Sequence, residues 1–190
     1  MNTTIIVGAS LARVIIAAHL SGHGVLLVGG TGVGKTAIIK ALAARLGIGY
    51  RRLDASVLEA SDLAGYPVER AGRMDFLRPS WMPDPDTEPD GIVVIEEATR
   101  PTQSVKNGLL NLISEKEING HKLPPGWTIH GTANPATDLY QDAEELDAAF
   151  AARFSVIDVR ASRKDWLAWA KKEGVHADVL NYVKSNTRVF

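Results

Sequence analysis

The stretch GGTGVGKT, residues 29–36, constrains the fold of this chain more than any other feature. It follows the apolar run VLLV, which is typical of a buried strand, and it opens the helical pattern KTAIIKALAARL. The spacing of its glycines, Lys35 and Thr36 is that of a phosphate-binding loop, in the strand-to-helix context that this loop requires. The sequence therefore predicts a phosphate site at the start of the helix.

The residue types in this loop suit a bound nucleotide and its metal ion. Glycines let backbone amides approach phosphate oxygens closely, and a helix N-terminus adds partial positive charge. We expect Lys35 to reach the β- and γ-phosphates and the hydroxyl of Thr36 to bind Mg²⁺. The alternative is a glycine-rich turn without a ligand. The predicted nucleotide contacts are Gly29, Gly30, Thr31, Gly32, Val33, Gly34, Lys35, Thr36 and Ala37.

Short β-type runs alternate with helical patterns along the chain, which favours a parallel sheet covered by helices on both faces. The expected fold class is α/β, a three-layer αβα sandwich around a parallel five-stranded sheet. The predicted strands are residues 25–29, 50–56, 92–97, 127–134 and 154–160.

Capping and turn residues set the bounds of the predicted helices and of one hairpin. A helix should run from Gly34 to Gly47, and because it is apolar nearly all round it should be largely buried. A second helix should begin after Arg100 with Pro101 in its first turn. The segment EINGHKL, residues 117–123, contains the Asn-Gly dipeptide that a type I′ hairpin turn prefers.

Length and composition exclude several classes of protein. A chain of 190 residues suits one domain with a real core, and a formal net charge of -1 gives no sign of a nucleic-acid or membrane-surface role. Cysteine is absent, which excludes disulfides and thiolate metal sites. No stretch has the length of an apolar membrane span, and the amino terminus lacks the pattern of a signal peptide. We expect a cytoplasmic protein.

The run IVVIEEATR, residues 92–100, ends a buried strand in two adjacent carboxylates. If this strand lies beside the one that leads into the phosphate loop, its carboxyl end delivers Glu96 and Glu97 to the same edge of the sheet. Neighbouring residues on a strand point to opposite sides. One carboxylate can then serve the metal and the other the attacking water; the alternative is an ordinary solvated strand end.

Taken together, these elements resemble the AAA+ ATPases, in particular their MoxR-like, dynein-related (AAA_5) branch. The resemblance extends over roughly residues 20–185 in linear order, beyond the loop alone. Besides the acidic strand end with Arg100 after it, the segments that carry it are DLAGYP (62–67), TANP (132–135), ELDAAFAARF (145–154) and DWLAWA (165–170).

The resemblance implies catalytic roles for four residues besides the loop. Glu97 would polarise the attacking water, Glu96 would hold Mg²⁺ through its waters, and Asn134 would position the water and the γ-phosphate. Arg153 would act on the ATP of a neighbouring subunit, so a ring, usually a hexamer, is implied. The alternatives without a catalytic role are that Asn134 shapes a turn and that Arg153 forms an ion pair at the surface.

The resemblance also implies domains and partners. Residues 1–161 would form the nucleotide-binding core and residues 162–190 the start of an incomplete helical lid. The ATPase cycle would remodel a protein partner, which in MoxR-like systems is often a von Willebrand-type domain protein. The hairpin at 117–123 and the irregular segment at 57–82 are the candidate surfaces for that partner.

Two departures from the family pattern bear on activity. The chain has Glu96 where the family usually has Asp, and a shift of about 1 Å in a positioned group can cost a hundredfold in rate. The lid lacks a convincing sensor 2 arginine, since Arg188 lies close to the end. An ATP-binding regulatory subunit with little hydrolysis is therefore a second hypothesis, and a small P-loop kinase or GTPase a third.

Overall fold

The computed structural model describes residues 3–136 and 147–186. The strands of this part of the chain are β1 (Thr3–Ile6), β2 (Val25–Val28), β3 (Gly49–Asp54), β4 (Pro67–Arg70), β5 (Arg73–Phe76), β6 (Asp90–Glu96), β7 (Glu117–Ile118), β8 (His121–Lys122), β9 (Gly126–Ala133) and β10 (Ser155–Arg160). The helices are α1 (Ala9–Leu20), α2 (Lys35–Leu46), α3 (Ala60–Ala64), α4 (Gln103–Glu115), α5 (Ala148–Ala151), α6 (Arg163–Lys172) and α7 (Ala177–Ser185).

A parallel sheet with strand order β1-β10-β2-β9-β6-β3 forms the centre of the fold, and helices cover both faces. The predicted three-layer α/β class is confirmed, and all five predicted strands are present. The sheet has six strands because β1 adds an edge by pairing Thr3–Ile6 with Ile157–Arg160. This pairing joins the first and the last strand of the sequence, and a local apolar pattern does not reveal contacts between segments so far apart in the chain.

The order of the strands corrects one expectation. Strand β6 does not lie beside β2; β9 lies between them and pairs with both. Strand order depends on how crossover helices pack on the sheet, which the apolar pattern of single strands does not encode. The carboxyl end of β9 therefore separates the phosphate loop from the acidic end of β6.

Two apolar clusters lie on the two faces of the sheet. The first joins α1 and α2 to alternate residues of the strands and contains Leu11, Ile15, Leu27, Ile39, Ile92 and Val94. The second lies under α3 and α4 and contains Leu63, Val93, Ile95, Val105, Leu109 and Leu112. Because β6 is buried on both faces, it alternates between these clusters along its length.

The two predicted helices form, with corrections to their details. Helix α2 ends at Gly47, which has a left-handed φ of 69° as expected, but only Ile39, Leu42 and Ala43 are buried. The helix packs on the sheet along one face only, and its other face, which combines alanines with Lys40 and Arg45, is exposed. Helix α4 begins at Gln103 with Thr102 as its N-cap, so Pro101 precedes the first turn.

Two small hairpins project from the core. The β7–β8 turn places Asn119 at φ 45° and Gly120 at φ 83°, the left-handed pair that a type I′ turn requires, as predicted. The segment expected to be irregular contains α3 and the antiparallel β4–β5 hairpin. Side chains of the β7–β8 hairpin bond to this segment, Asn119 to the carbonyl of Ala64 and His121 to that of Phe76.

Helices α6 and α7 follow the last strand and pack against each other. The division into a core ending at residue 161 and a lid beginning at 162 remains a prediction. Arg188 lies outside the described residues, as do residues 145 and 146 of the segment expected to present Arg153. Among the described helices, none combines the length and the hydropathy needed to cross a bilayer.

Candidate nucleotide site

The loop between β2 and α2 follows a backbone path that needs its glycines. A Cβ on Gly29 would lie 2.5 Å from the carbonyl oxygen of Val159, closer than real Cβ atoms approach backbone. Gly32 and Gly34 have φ of 78° and 97°, where a side chain would add strain. Glycine spacing in the sequence thus reflects both crowding by β10 and turn geometry.

The N-terminus of α2 is uncapped. Its N-cap residue, Gly34, makes no side-chain hydrogen bond to the first turn. The first hydrogen bond of the helix runs from the amide of Ile38 to the carbonyl of Gly34. The amides of Lys35, Thr36 and Ala37 precede it and therefore have no partner within the helix. Together with the partial positive charge of the helix, they can bind phosphate oxygens.

The ammonium group of Lys35 lies at the centre of the site. It donates to the carbonyls of Gly29 at 2.7 Å and Gly30 at 2.9 Å, and to Oδ1 of Asn134 at 3.0 Å. Burial lowers the pKa of Lys35, while the negative charges of Glu97 and Glu96 act in the opposite direction. Both carboxylates therefore lie within electrostatic reach of this ammonium group.

Asn134 connects Lys35 to Glu97. Its amide nitrogen donates to the two carboxylate oxygens of Glu97 at 3.3 and 3.2 Å, while its Oδ1 accepts from Lys35. An ammonium only donates and a carboxylate only accepts, so the two neighbours fix which end of the amide faces which group. The insertion of β9 is what brings Asn134 between the loop and the acidic strand end.

Glu97 occupies a strained backbone position directly after β6. Its φ is 51°, in the left-handed region that glutamate seldom adopts. The turn is held by bonds from the amide of Arg100 to the carbonyl of Glu97, at 2.8 Å, and from the amide of Ala98 to the carbonyl of Thr132, at 3.0 Å. Strained residues held by their surroundings are concentrated at functional sites.

Glu96, the last residue of β6, lies on the face of the sheet that α2 covers. It is opposite Asp54 in the β3–β6 register and shares its face with Ile92 and Val94, which pack in the cluster under α2. Its carboxylate accepts a 2.5 Å bond from Nε of Arg52 on β3. The two adjacent carboxylates are therefore separated and have different partners, but the left-handed turn at Glu97, rather than strand alternation, directs the second carboxylate to Asn134.

Arg153 does not belong to the phosphate site of its own chain. It precedes β10, whose first residue pairs with Val25 at the start of β2, whereas the phosphate loop follows the last residue of β2. The four residues of β2 separate its two ends, and with them Arg153 from the phosphate loop, by roughly 10 Å or more. The guanidinium bonds to Ser114 Oγ at 2.6 Å and to the carbonyl of Ala149 at 2.7 Å.

The oxygen donors near the loop fit a magnesium ion that is shared with a phosphate. Mg²⁺ takes one or two carboxylates and completes its shell with phosphate oxygens and water. Thr36 offers a hydroxyl at the start of α2, and Glu96 offers a carboxylate on the face that α2 covers. In residues 3–136 and 147–186, no group of three or more His, Cys, Asp and Glu residues forms a metal site by itself.

Sequence reasoning missed the polar residues of β3 that surround Glu96. The hydroxyl of Tyr50 is buried and has no hydrogen-bond partner among the described residues. Burial raises the pKa of Tyr50, and the negative charge of Glu96 raises it further. Applying the two-residue period of a strand to YRRLDAS would have placed Tyr50, Arg52 and Asp54 on one face, although not beside Glu96.

A loop of this form at the carboxyl edge of a parallel sheet defines a P-loop nucleotide-binding protein. The family model of the AAA ATPases, the ATPases associated with various cellular activities, matches residues 25–159. The chain therefore belongs to the AAA family.

The chain is similar to larger proteins, and it spans about half the length of each. The Bacillus subtilis protein YeaC, described as uncharacterized, is 28% identical over 159 residues, which cover 81% of this chain and 48% of YeaC. A predicted ATPase from Cytophaga hutchinsonii has a TM-score of 0.63 and 21% identity over 88% of this chain and 51% of its own. Thermotoga maritima RuvB, a Holliday junction branch migration motor, has a TM-score of 0.57 and 21% identity, covering 88% and 50%.

Proposed function

We propose that this chain is the core of a Mg²⁺-dependent ATPase of the MoxR-like AAA+ branch that remodels a protein partner in the cytoplasm. The observation that carries the proposal is the continuous contact from Lys35 through Asn134 to Glu97. This contact joins a phosphate-binding loop to a carboxylate that can act on a water molecule. Phosphoryl transfer depends mainly on such positioning and on charge neutralisation.

Each residue of the site has a task in this proposal. The loop amides and Lys35 would bind the phosphates, and Thr36 and Glu96 would hold Mg²⁺, which would supply positive charge to neutralise the phosphates. Glu97 accepts a hydrogen bond from the attacking water and turns it towards the γ-phosphate. Asn134 holds Glu97 at the correct distance, since its amide nitrogen contacts both carboxylate oxygens. Lys35 must exchange its bonds to the loop carbonyls for bonds to phosphate.

Assembly completes the proposed site. Arg153 lies at the amino ends of the central strands, whereas its own phosphate loop lies at their carboxyl ends. It would therefore reach the ATP of a neighbouring subunit. Such a head-to-tail interface closes into a ring, and we propose a hexamer. The two hydrogen-bonded hairpins, β4–β5 and β7–β8, form the candidate surface for the remodelled partner, which could be a von Willebrand-type domain protein.

The test measures ATP binding and phosphate release in matched variants. Lys35→Ala should abolish ATP binding, whereas Glu97→Gln should bind ATP and release phosphate about 10² to 10⁴-fold more slowly. Lys40→Ala serves as the control because Lys40 is an exposed residue of the same helix. Phosphate release that is unchanged in both site variants would refute the assignment.

A second candidate function is an ATP-binding regulatory subunit with little hydrolysis. The observation that favours it is the ion pair of Glu96 with Arg52, since a carboxylate engaged by an arginine is not free for metal. Under this hypothesis the protein binds ATP tightly and shows no turnover at any protein concentration. Turnover that rises with concentration would instead support the ATPase.

A further inference from the structure

Arg52 holds the carboxylate that the ATPase hypothesis assigns to the metal. Its Nε donates to Glu96 at 2.5 Å, and the same guanidinium donates through Nη2 to Asp54 at 3.0 Å. The three side chains lie on one face of the β3–β6 pair, because Asp54 is opposite Glu96 and two residues from Arg52. Arg52 thus bridges two carboxylates at the carboxyl edge of the sheet.

Glu96 needs a cation at this position. Its side chain is only 12% exposed, so little water solvates its charge, and an unpaired carboxylate there would be costly. Arg52 supplies positive charge when no metal is bound. A metal ion that binds Glu96 would therefore compete with this guanidinium for one carboxylate.

Arg52 has a second carboxylate partner, Asp54, to which it can remain bonded if a metal takes Glu96. Its side chain is 55% exposed and can move. Asp54 is held in position by Ser56, whose amide and hydroxyl donate to Oδ1 at 3.2 and 2.7 Å, while Oδ2 remains bonded to Arg52. The guanidinium can leave Glu96 and keep its bond to Asp54, so neither ion is left without a partner.

We propose that Arg52 is the metal-exchange residue of this site: it neutralises Glu96 in the metal-free state and, when Mg²⁺ binds, releases Glu96 while it stays bonded to Asp54, so this exchange sets the metal affinity. The proposal rests on the proposed function, because it takes Glu96 as the metal carboxylate. The glutamate side chain is one methylene longer than aspartate, and in this proposal the extra length lets the Glu96 carboxylate reach Arg52 on the neighbouring strand.

The experiment measures binding of Mn²⁺ to the full chain in the presence of ADP, by electron paramagnetic resonance of free Mn²⁺. Arg52→Gln removes the competitor and should tighten Mn²⁺ binding about tenfold, the value of one charge-assisted hydrogen bond. Asp54→Asn removes the second partner of Arg52 and should weaken Mn²⁺ binding about threefold. Arg45→Gln, an exposed residue of α2, controls for the change in net charge.

The opposite signs of the two effects separate exchange from simple structural support. If Arg52→Gln weakens Mn²⁺ binding, or if both variants match the wild type, Arg52 is not an exchange residue and the proposal is overturned. If Arg52→Gln does not fold, Asp54→Asn decides alone, and unchanged affinity overturns the proposal. Absence of Mn²⁺ and ADP binding in the wild type would refute the nucleotide site as well, so the two failures are distinguishable.

Discussion

Acidification from pH 7 to pH 5 should destabilise this protein through His130, a fully buried residue of β9. The amide of Val25 donates to its Nδ1 at 3.1 Å, so Nδ1 carries no proton and Nε2 does. Nε2 can then donate to Thr128 at 3.2 Å, and the Thr128 hydroxyl to His19 at 2.7 Å. A proton added to Nδ1 would face the Val25 amide, donor against donor.

The pKa of His130 gives the size of the effect. Burial chiefly, with the charges of His19 and His23, lowers this pKa from 6.5 to about 3. Between these values the unfolded chain binds a proton that the native protein excludes, so stability falls as the pH decreases below 6.5. At pH 5, about 1.5 units below 6.5, the loss is roughly 2 kcal/mol at 1.36 kcal/mol per unit.

Urea unfolding at pH 7, 6 and 5 measures this loss, with His130→Asn as the comparison. Asparagine keeps an acceptor for the Val25 amide and does not titrate, so the variant should be less stable at pH 7 but lose about 2 kcal/mol less on acidification. The difference between the two proteins removes contributions from carboxylates that titrate in both. Parallel loss of stability in wild type and variant would show that His130 is not the responsible group.

Two further predictions concern the nucleotide site. Lys35→Ala and Arg153→Ala subunits should each be inactive alone, yet their mixture should regain phosphate release, because some interfaces pair an intact loop with an intact arginine; a mixture that remains inactive contradicts action between subunits. Glu97→Gly and Glu97→Ala both lose the carboxylate and should lose turnover, but only glycine accepts a φ of 51° without strain, so the Gly variant should have a free energy of unfolding in urea about 1 kcal/mol higher than the Ala variant; equal or lower stability would contradict the inferred strain.

Local patterns predicted the elements of this fold better than their arrangement. The loop from Gly29 to Thr36 and the Asn119-Gly120 turn depend on backbone conformations that particular residues favour, so the sequence reveals them directly. The position of β9 between β2 and β6 depends on helix packing at long range. That is why the family resemblance could point to Asn134 while its bond to Lys35 could not be foreseen.

The separation of the two carboxylates follows from one change in backbone conformation. The strand alternation of β6 places Glu96 on the face covered by α2, and continued alternation would place the next side chain on the α4 face. The left-handed φ at Glu97 ends that alternation, and its side chain instead meets Asn134 beside the loop. The strain therefore has a chemical consequence, because it keeps both carboxylates near Lys35 while giving each a separate partner.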